Sequence, residues 1–302
     1  MFVSWSSSLH TLAARFGERL AATDMNGHTL TFNQLCTKAH ALATYLSPEC
    51  SIPGKAIASL LPNSVQAVWA SYGIRLTGAA ETPLSWGYTL EEIQWCAKLA
   101  GFDCVLTRGE REAELQSIGL RTINIDTLAA SADFKSLAVN QSVLPAIPGD
   151  QAGRILFTSG TTGKPKGVRY THAARWMGEQ LLKAEMPFIP AEGQKILLMT
   201  PFVHGSSLLT YGWCDLGGTV VLHPGVHIDH IQALLDSDSL TAIFAPPTVL
   251  AKITSAFEGR KFKSIKCVFT GTQPLAPAMY QRASNMFGPN IRITYGKSEC
   301  VN

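Results

Sequence analysis

Charge is scarce in this chain. Only 16% of its residues are Asp, Glu, Lys or Arg, against roughly 25% in an average soluble domain. The 25 basic and 22 acidic side chains nearly cancel, leaving +3 with histidines neutral. A duplex-binding protein concentrates Lys and Arg on one face, so this balance gives no electrostatic case for nucleic acid. Long apolar runs are missing as well. Two uncharged windows exist, but Pro62, Asn63, Ser64 and Gln66 break residues 56–74, and Pro201, His204 and two glycines break residues 196–214. A membrane span needs about 20 continuous apolar residues, so none is expected. The seven cysteines (Cys36, Cys50, Cys96, Cys104, Cys214, Cys267 and Cys300) form no CxxC pair and no zinc-like spacing. Odd in number and set among apolar neighbours, they read as reduced, cytosolic thiols. The N-terminus lacks a basic leader followed by an apolar stretch, which argues against a secretion signal.

What is present points to a packed α/β protein. Hydrophobic residues make up 46% of the chain, which with near-zero net charge excludes disorder. The 25 glycines and 16 prolines suggest buried sheets joined by tight turns, and 302 residues suggest about two globular units. Asn26-Gly27 between 20–23 and 28–31 is a two-residue hairpin signal. From Phe32, apolar residues recur at Leu35, Cys36, Ala39, Leu42 and Leu46 with Thr31 ahead as N-cap, which is helical spacing. Residues 56–61 read as a strand that turns at Pro62-Asn63-Ser64 into a helix bearing Val65, Val68, Trp69 and Tyr72. Further strands are expected at 104–107, 154–157, 196–199, 219–222, 242–245, 267–270 and 291–294, and helices near 90–100, 173–183, 228–235, 248–257 and 276–287. This alternation predicts parallel sheets covered on both faces. Residues 141–153, with Pro145 and Pro148, read as a hinge between lobes.

The chemistry concentrates in residues 154–168. A hydrophobic strand runs into Thr158-Ser159-Gly160-Thr161-Thr162-Gly163-Lys164-Pro165-Lys166-Gly167. Such a loop can turn backbone N–H groups toward an anion, add hydroxyl donors and neutralise phosphate with lysine. No GxxxxGK[ST] occurs, so it is not a Walker loop, and no GxGxxG supports a dinucleotide fold.

The segment TSGTTGKPKGV resembles the signature phosphate loop of the adenylate-forming superfamily of acyl- and aryl-CoA synthetases, peptide-synthetase adenylation domains and luciferases. The other landmarks of that superfamily occur in order. Leu61-Pro62-Asn63-Ser64 and the stretch from Gly78 to Leu84 resemble "LPNS … GAVxxPLN", residues 269–275 resemble the "SGGAPL" adenine segment, and residues 293–299 resemble "xxYGxTE". The resemblance implies two αβα lobes with mainly parallel sheets, one formed by residues 50–185 and the other by 1–47 plus 190–302. It implies that Thr158, Ser159, Gly160, Thr161, Thr162, Gly163 and Lys166 cradle the ATP phosphates, with Lys164 a more exposed helper. Gly271, Thr272, Gln273 and Pro274 are then expected around adenine. Thr294, Tyr295 and Gly296 border the nucleotide, with Tyr295 stacked on or beside the base. Ser298 stands where a threonine is usual and contacts the adenylate. By the same resemblance Glu299 is expected to hold Mg²⁺, as suits a hard cation bound by few protein oxygens.

On the same resemblance, a carboxylate is expected to attack the α-phosphorus of ATP, so that pyrophosphate leaves and an acyl-AMP remains, followed by thioester formation with coenzyme A or, alternatively, a carrier-protein thiol. His204, in Thr200-Pro201-Phe202-Val203-His204-Gly205-Ser206-Ser207, is the candidate for lining the acid pocket, and Lys166, His204 and Ser298 are the candidate catalytic residues. Amino-acid-activating members carry an Asp in an FDxS context here, to pair with the substrate ammonium. Its absence favours a fatty or aryl acid, since an unpaired ammonium in such a pocket is costly. His223, His227 and His230 match no zinc spacing, and Asp229 reads as an early helix acid. The basic run 260–266 reads as a solvated approach to the next strand. The chain stops three residues after Glu299, ahead of the superfamily's ribose-binding aspartate and lysine-bearing C-terminal domain. The expectation is therefore an incomplete AMP-binding domain or a nucleotide-binding fragment without full catalysis.

Overall fold

The computed structural model describes residues 1–50, 54–138, 142–158 and 164–296. Its strands are β1 (Phe2–Val3), β2 (Leu20–Asp24), β3 (Thr29–Thr31), β4 (Ala56–Leu60), β5 (Ala80–Leu84), β6 (Cys104–Thr107), β7 (Arg121–Asn124), β8 (Ile147–Pro148), β9 (Ala152–Thr158), β10 (Lys166–Thr171), β11 (Lys195–Leu198), β12 (Thr219–Leu222), β13 (Leu240–Phe244), β14 (Cys267–Gly271) and β15 (Ile291–Thr294). One sheet has the order β10-β9-β5-β4-β6-β7, the other β15-β14-β13-β11-β12-β2-β3, and β1 pairs with β8 in a short ribbon. Among the described residues, only the hairpin pairs β9–β10 and β2–β3 are antiparallel within the two large sheets. With helices between successive strands, these are two αβα layers around mainly parallel sheets.

Local chemistry accounts for the elements. β4, β5, β6, β12, β13 and β14 are buried at every position, as expected of parallel strands covered on both faces. Thr31 closes a capping box with Gln34 at the start of helix Phe32–Leu46, and Thr89 does the same with Glu92 at helix Leu90–Ala100. Each box satisfies two orphan N–H groups, and the N-cap side chain alone is worth about 1 kcal/mol. Helices Phe32–Leu46 and Val65–Leu76 approach closely at Gly73, where an added Cβ would come 2.7 Å from the Leu42 side chain. The stretch read as a hinge carries β8 and the start of β9, and Gly149 donates its N–H to the Met1 carbonyl at 2.8 Å. In the basic run, Phe262 and Ile265 are buried while Arg260, Lys261, Lys263 and Lys266 face solvent. Among the described residues, no helix is long and apolar enough to cross a membrane.

A charged seam lies inside this frame. Arg75, Glu81, Arg154, Arg175 and Glu179 are each no more than 3% exposed. Arg175 pairs with Glu81 at 2.6 Å and Arg75 with Glu179 at 2.8 Å, while Arg154 sits 3.8 Å from Glu81. Three guanidiniums thus face two carboxylates. Part of the surplus charge rests on the Tyr211 ring, whose centroid lies 4.9 Å from Arg75, 5.8 Å from Arg154 and 5.0 Å from Arg175.

His172, at the start of helix His172–Glu185, is fully buried. The Trp5 indole N–H donates to its Nδ1 at 3.0 Å, so its Nε2–H donates to the Gly78 carbonyl at 3.2 Å. A second proton would break the Trp5 bond. Burial, outweighing the Gly78 bond, pulls the imidazole down from 6.5 to about 4. A depressed base contributes its stability above the unfolded value and loses it as pH falls from about 6.5 toward 4. We expect roughly 1–2 kcal/mol of stability to be gone by pH 5, and His172→Gln to flatten that slope in urea titrations at stepped pH. An unchanged slope in the variant would reject this assignment.

Candidate active site

β9 and β10 form a hairpin in which Lys166 pairs directly with Thr158. The loop between them carries the glycine, hydroxyl and lysine run, and Lys166 leaves it on an exposed strand start. Ser159, Gly160, Thr161, Thr162 and Gly163 lie outside the described residues, as do Ser298 and Glu299. The outgoing limb is braced from helix Leu90–Ala100. The Trp95 indole N–H donates to the Pro165 carbonyl at 2.8 Å, and the Lys164 ammonium lies 4.7 Å from the Trp95 ring centroid. Lys164 therefore rests on an aromatic face, whereas Lys166 is open to solvent.

The other candidate residues gather along one edge of the second sheet. β11, β13, β14 and β15 run parallel, so their carboxyl ends lie side by side, the usual ligand edge of an open α/β sheet. Gly271 ends β14 where a Cβ would fall 2.3 Å from the Thr294 carbonyl oxygen, so only glycine fits between these strands. Thr294 donates its hydroxyl to the Thr270 carbonyl at 3.0 Å. The Thr270 hydroxyl is buried and has no hydrogen-bond partner among the described residues. Thr272 follows at φ +69, a left-handed conformation that costs a β-branched residue on the order of 1–3 kcal/mol. The "SGGAPL" pattern places glycine at this point. Gln273, Pro274, Thr294, Tyr295 and Gly296 are all exposed, Tyr295 at 79%.

His204 occupies a π-turn, Phe202–Ser206, that opens helix Ser207–Asp215. Its backbone leaves the helical region (φ −114, ψ −139), and such irregular turns are frequent at functional positions. The neighbouring Gly205 packs against Phe244 at the end of β13, where a Cβ would meet the ring at 3.1 Å. His204 retains solvent exposure by surface area. Crowding by surrounding atoms, then the Arg154 guanidinium, nevertheless holds its imidazole below the ordinary value. At neutral pH it is an uncharged ring. Arg154 donates to the Ser207 hydroxyl at 2.8 Å, and Ser207 donates to the His204 carbonyl at 2.8 Å. The strand that feeds the lysine loop is thereby tied to the histidine turn.

Two bracing residues carried no role in the sequence reading. The Asn63 side chain donates to the carbonyls of Thr200 (2.7 Å) and His223 (2.9 Å) and accepts the Phe202 N–H (2.7 Å). It thus fixes the segment entering the turn from the opposite sheet's β4-to-helix corner. Arg154 was visible only as part of a strand. His223, His227 and His230 do cluster, with ring centroids 6.4 and 5.9 Å from His223, and Asp229 sits in the first turn of helix Ile228–Leu235.

A two-lobed, mainly parallel α/β chain with a lysine-bearing hairpin loop and a strand-end cluster is the class so defined. A model of the AMP-binding enzyme family matches residues 9–301, and the chain belongs to that family. It is 26% identical over 330 residues to a (methyl-dioxo-octahydroindenyl)propanoyl:CoA ligase of Rhodococcus jostii, covering 98% of this chain and 62% of that ligase. It is 28% identical over 291 residues to a plipastatin synthase polypeptide of Bacillus subtilis, covering 94% of this chain and 11% of that synthase. In fold it resembles the unliganded o-succinylbenzoate coenzyme A synthetase of Bacillus subtilis, with a TM-score of 0.83 and 23% identity, covering 99% of this chain and 63% of that one. The chain thus spans less than two thirds of these relatives.

Proposed function

We propose that the chain is the ATP-binding portion of an acid–thiol ligase that activates a carboxylic acid as its acyl-AMP. The pairing of Lys166 with Thr158 across the hairpin mouth carries this reading, because it presents a solvated cation beside a hydroxyl-rich loop. The residues present fit a nucleotide. The Thr270 hydroxyl, without a partner among the described residues, and the side-chain-free approach at Gly271 offer a donor and space along one strand edge, with the solvent-exposed Tyr295 side chain beside them. Mg²⁺ falls to Glu299 on the motif alone.

The reaction joins two anions, so catalysis is mainly positioning and charge neutralisation, with no protein nucleophile. The acid's oxygen bonds to the α-phosphorus as the bond to pyrophosphate breaks. Lys166 and the loop neutralise phosphate, and His204, uncharged, borders the acid. Segment Thr200–Ser207 contains no carboxylate, so the acid is fatty or aryl and not an α-amino acid. Coenzyme A is the thiol acceptor favoured by the ligase relative, and the synthase relative favours a carrier-protein thiol as the second reading. Buried thiols at Cys36, Cys96, Cys104, Cys214 and Cys267 suit a cytosolic setting. ATP–pyrophosphate exchange on the natural gene product is expected with fatty or aryl acids. Exchange with proteinogenic amino acids and none with simple acids would overturn the reading.

A further inference from the structure

Helices Trp5–Phe16 and Phe32–Leu46 bring together three side chains that the adenylation reading does not use. Cys36 and His40 are one turn apart on the second helix, and so face the same way. His10 meets them from the first. The Cys36 Sγ lies 3.8 Å from His10 Nδ1 and 3.6 Å from His40 Nδ1. Among the described residues, this is the one set of three His, Cys, Asp or Glu side chains whose ligand atoms all lie within 4.8 Å of one another. We propose that His10, Cys36 and His40 form a zinc-binding site, with solvent completing the fourth position.

The distances are those of a tetrahedral edge. Zn–S of about 2.3 Å and Zn–N of about 2.0–2.1 Å at tetrahedral angles put sulfur and nitrogen about 3.6 Å apart. Outer contacts are also in place. The Ser6 hydroxyl lies 2.8 Å from His40 Nε2 and accepts the Leu144 N–H at 2.9 Å. With no metal, Ser6 donates to Nε2, and His40 Nδ1–H donates to the Cys36 carbonyl at 2.8 Å. Moving the imidazole proton to Nε2 lets it donate to Ser6 instead, which frees the Nδ1 lone pair for the metal. This carboxylate-free arrangement orients a ligating histidine in the usual outer-shell way. His10 Nε2 is buried with no hydrogen-bond partner among the described residues, so none of them constrains its ring through that atom.

Burial pushes the Cys36 thiol up to about 11, so it carries its proton in the metal-free protein. Binding exchanges that proton for the dication: a sulfur–zinc bond forms, the S–H bond breaks, and one proton passes to solvent. No redox change is involved. A mixed thiolate and imidazole set suits zinc or copper over hard cations.

The test uses the untagged, chelator-stripped chain titrated with Co²⁺ and then Zn²⁺. One equivalent of Co²⁺ is expected to produce a thiolate-to-cobalt charge-transfer band with tetrahedral visible bands, and Zn²⁺ should bleach both. Zn²⁺ titrations in buffers of different protonation enthalpy should report release of about one proton. Cys36→Ser should abolish the charge-transfer band, while Cys96→Ser should leave it. His10→Gln changes a residue that is only half-buried, and should weaken Co²⁺ binding at least tenfold. It also decides the matter if Cys36→Ser does not fold. Absence of the band in folded wild-type chain, its survival in Cys36→Ser, or unchanged affinity in His10→Gln would each overturn the proposal and leave the trio as core packing.

Discussion

Replacing Glu81 with alanine is expected to lower unfolding stability by about 3–5 kcal/mol, because it strands the Arg154 and Arg175 guanidiniums inside the protein. Both are at most 3% exposed, and Glu81 is the carboxylate nearest to each. Burial alone would push the Glu81 carboxyl up. The attraction of Arg175 and Arg154 and the Ser71 hydroxyl bond outweigh it and hold the group below its ordinary 4.5. A depressed carboxylate contributes stability above the unfolded value and loses it as pH falls through the folded one. The acid loss from Glu81 therefore begins below about pH 4.5, after the loss tied to His172 is largely complete. Chemical denaturation at pH 7 and pH 4 reads both quantities. A loss below 1 kcal/mol at pH 7 would mean that water or rearrangement compensates the arginines.

Lys166→Ala is expected to weaken triphosphate binding far more than AMP binding. One charge-assisted phosphate contact is worth about 1.5–3 kcal/mol, or roughly 10- to 150-fold in Kd. Lys166 is exposed at a strand start and its partner across the ladder is Thr158, so the substitution removes a charge without opening the core. Calorimetric titration with ATP and with AMP separates the cases. Equal weakening of both nucleotides would move Lys166 to the nucleoside end and contradict the loop's proposed role.

Much of the framework was legible in residues because burial on both faces writes an apolar run. Thr219–Leu222, Cys104–Thr107, Leu90–Ala100 and Ile228–Leu235 fall where the sequence pattern puts them. β5 was not read, because Glu81, Thr82 and Pro83 interrupt its apolar run, although all three are buried in the sheet and Glu81 is paired there with Arg175. β10 was hidden by the loop it follows. It is an edge strand that buries only Tyr170, too little for periodicity to register. The phosphate loop was recognisable because its chemistry is contiguous. The trio His10, Cys36 and His40 was not, since it depends on two helices meeting. Nor could the sequence show Arg154 reaching Ser207, a contact made across 53 positions of chain.

The brace at Trp95 also makes the chain its own optical gauge. Indole emission depends on the charge near the ring and on what its N–H donates to, and Lys164 and Pro165 supply both from the far limb of the lysine loop. An anion that draws Lys164 off the ring takes away a neighbouring cation and alters the field on a half-buried fluorophore. Loop engagement can thus be followed in solution as a shift in tryptophan emission. Trp95→Phe identifies which of the six tryptophans carries the signal, with no label attached to the protein.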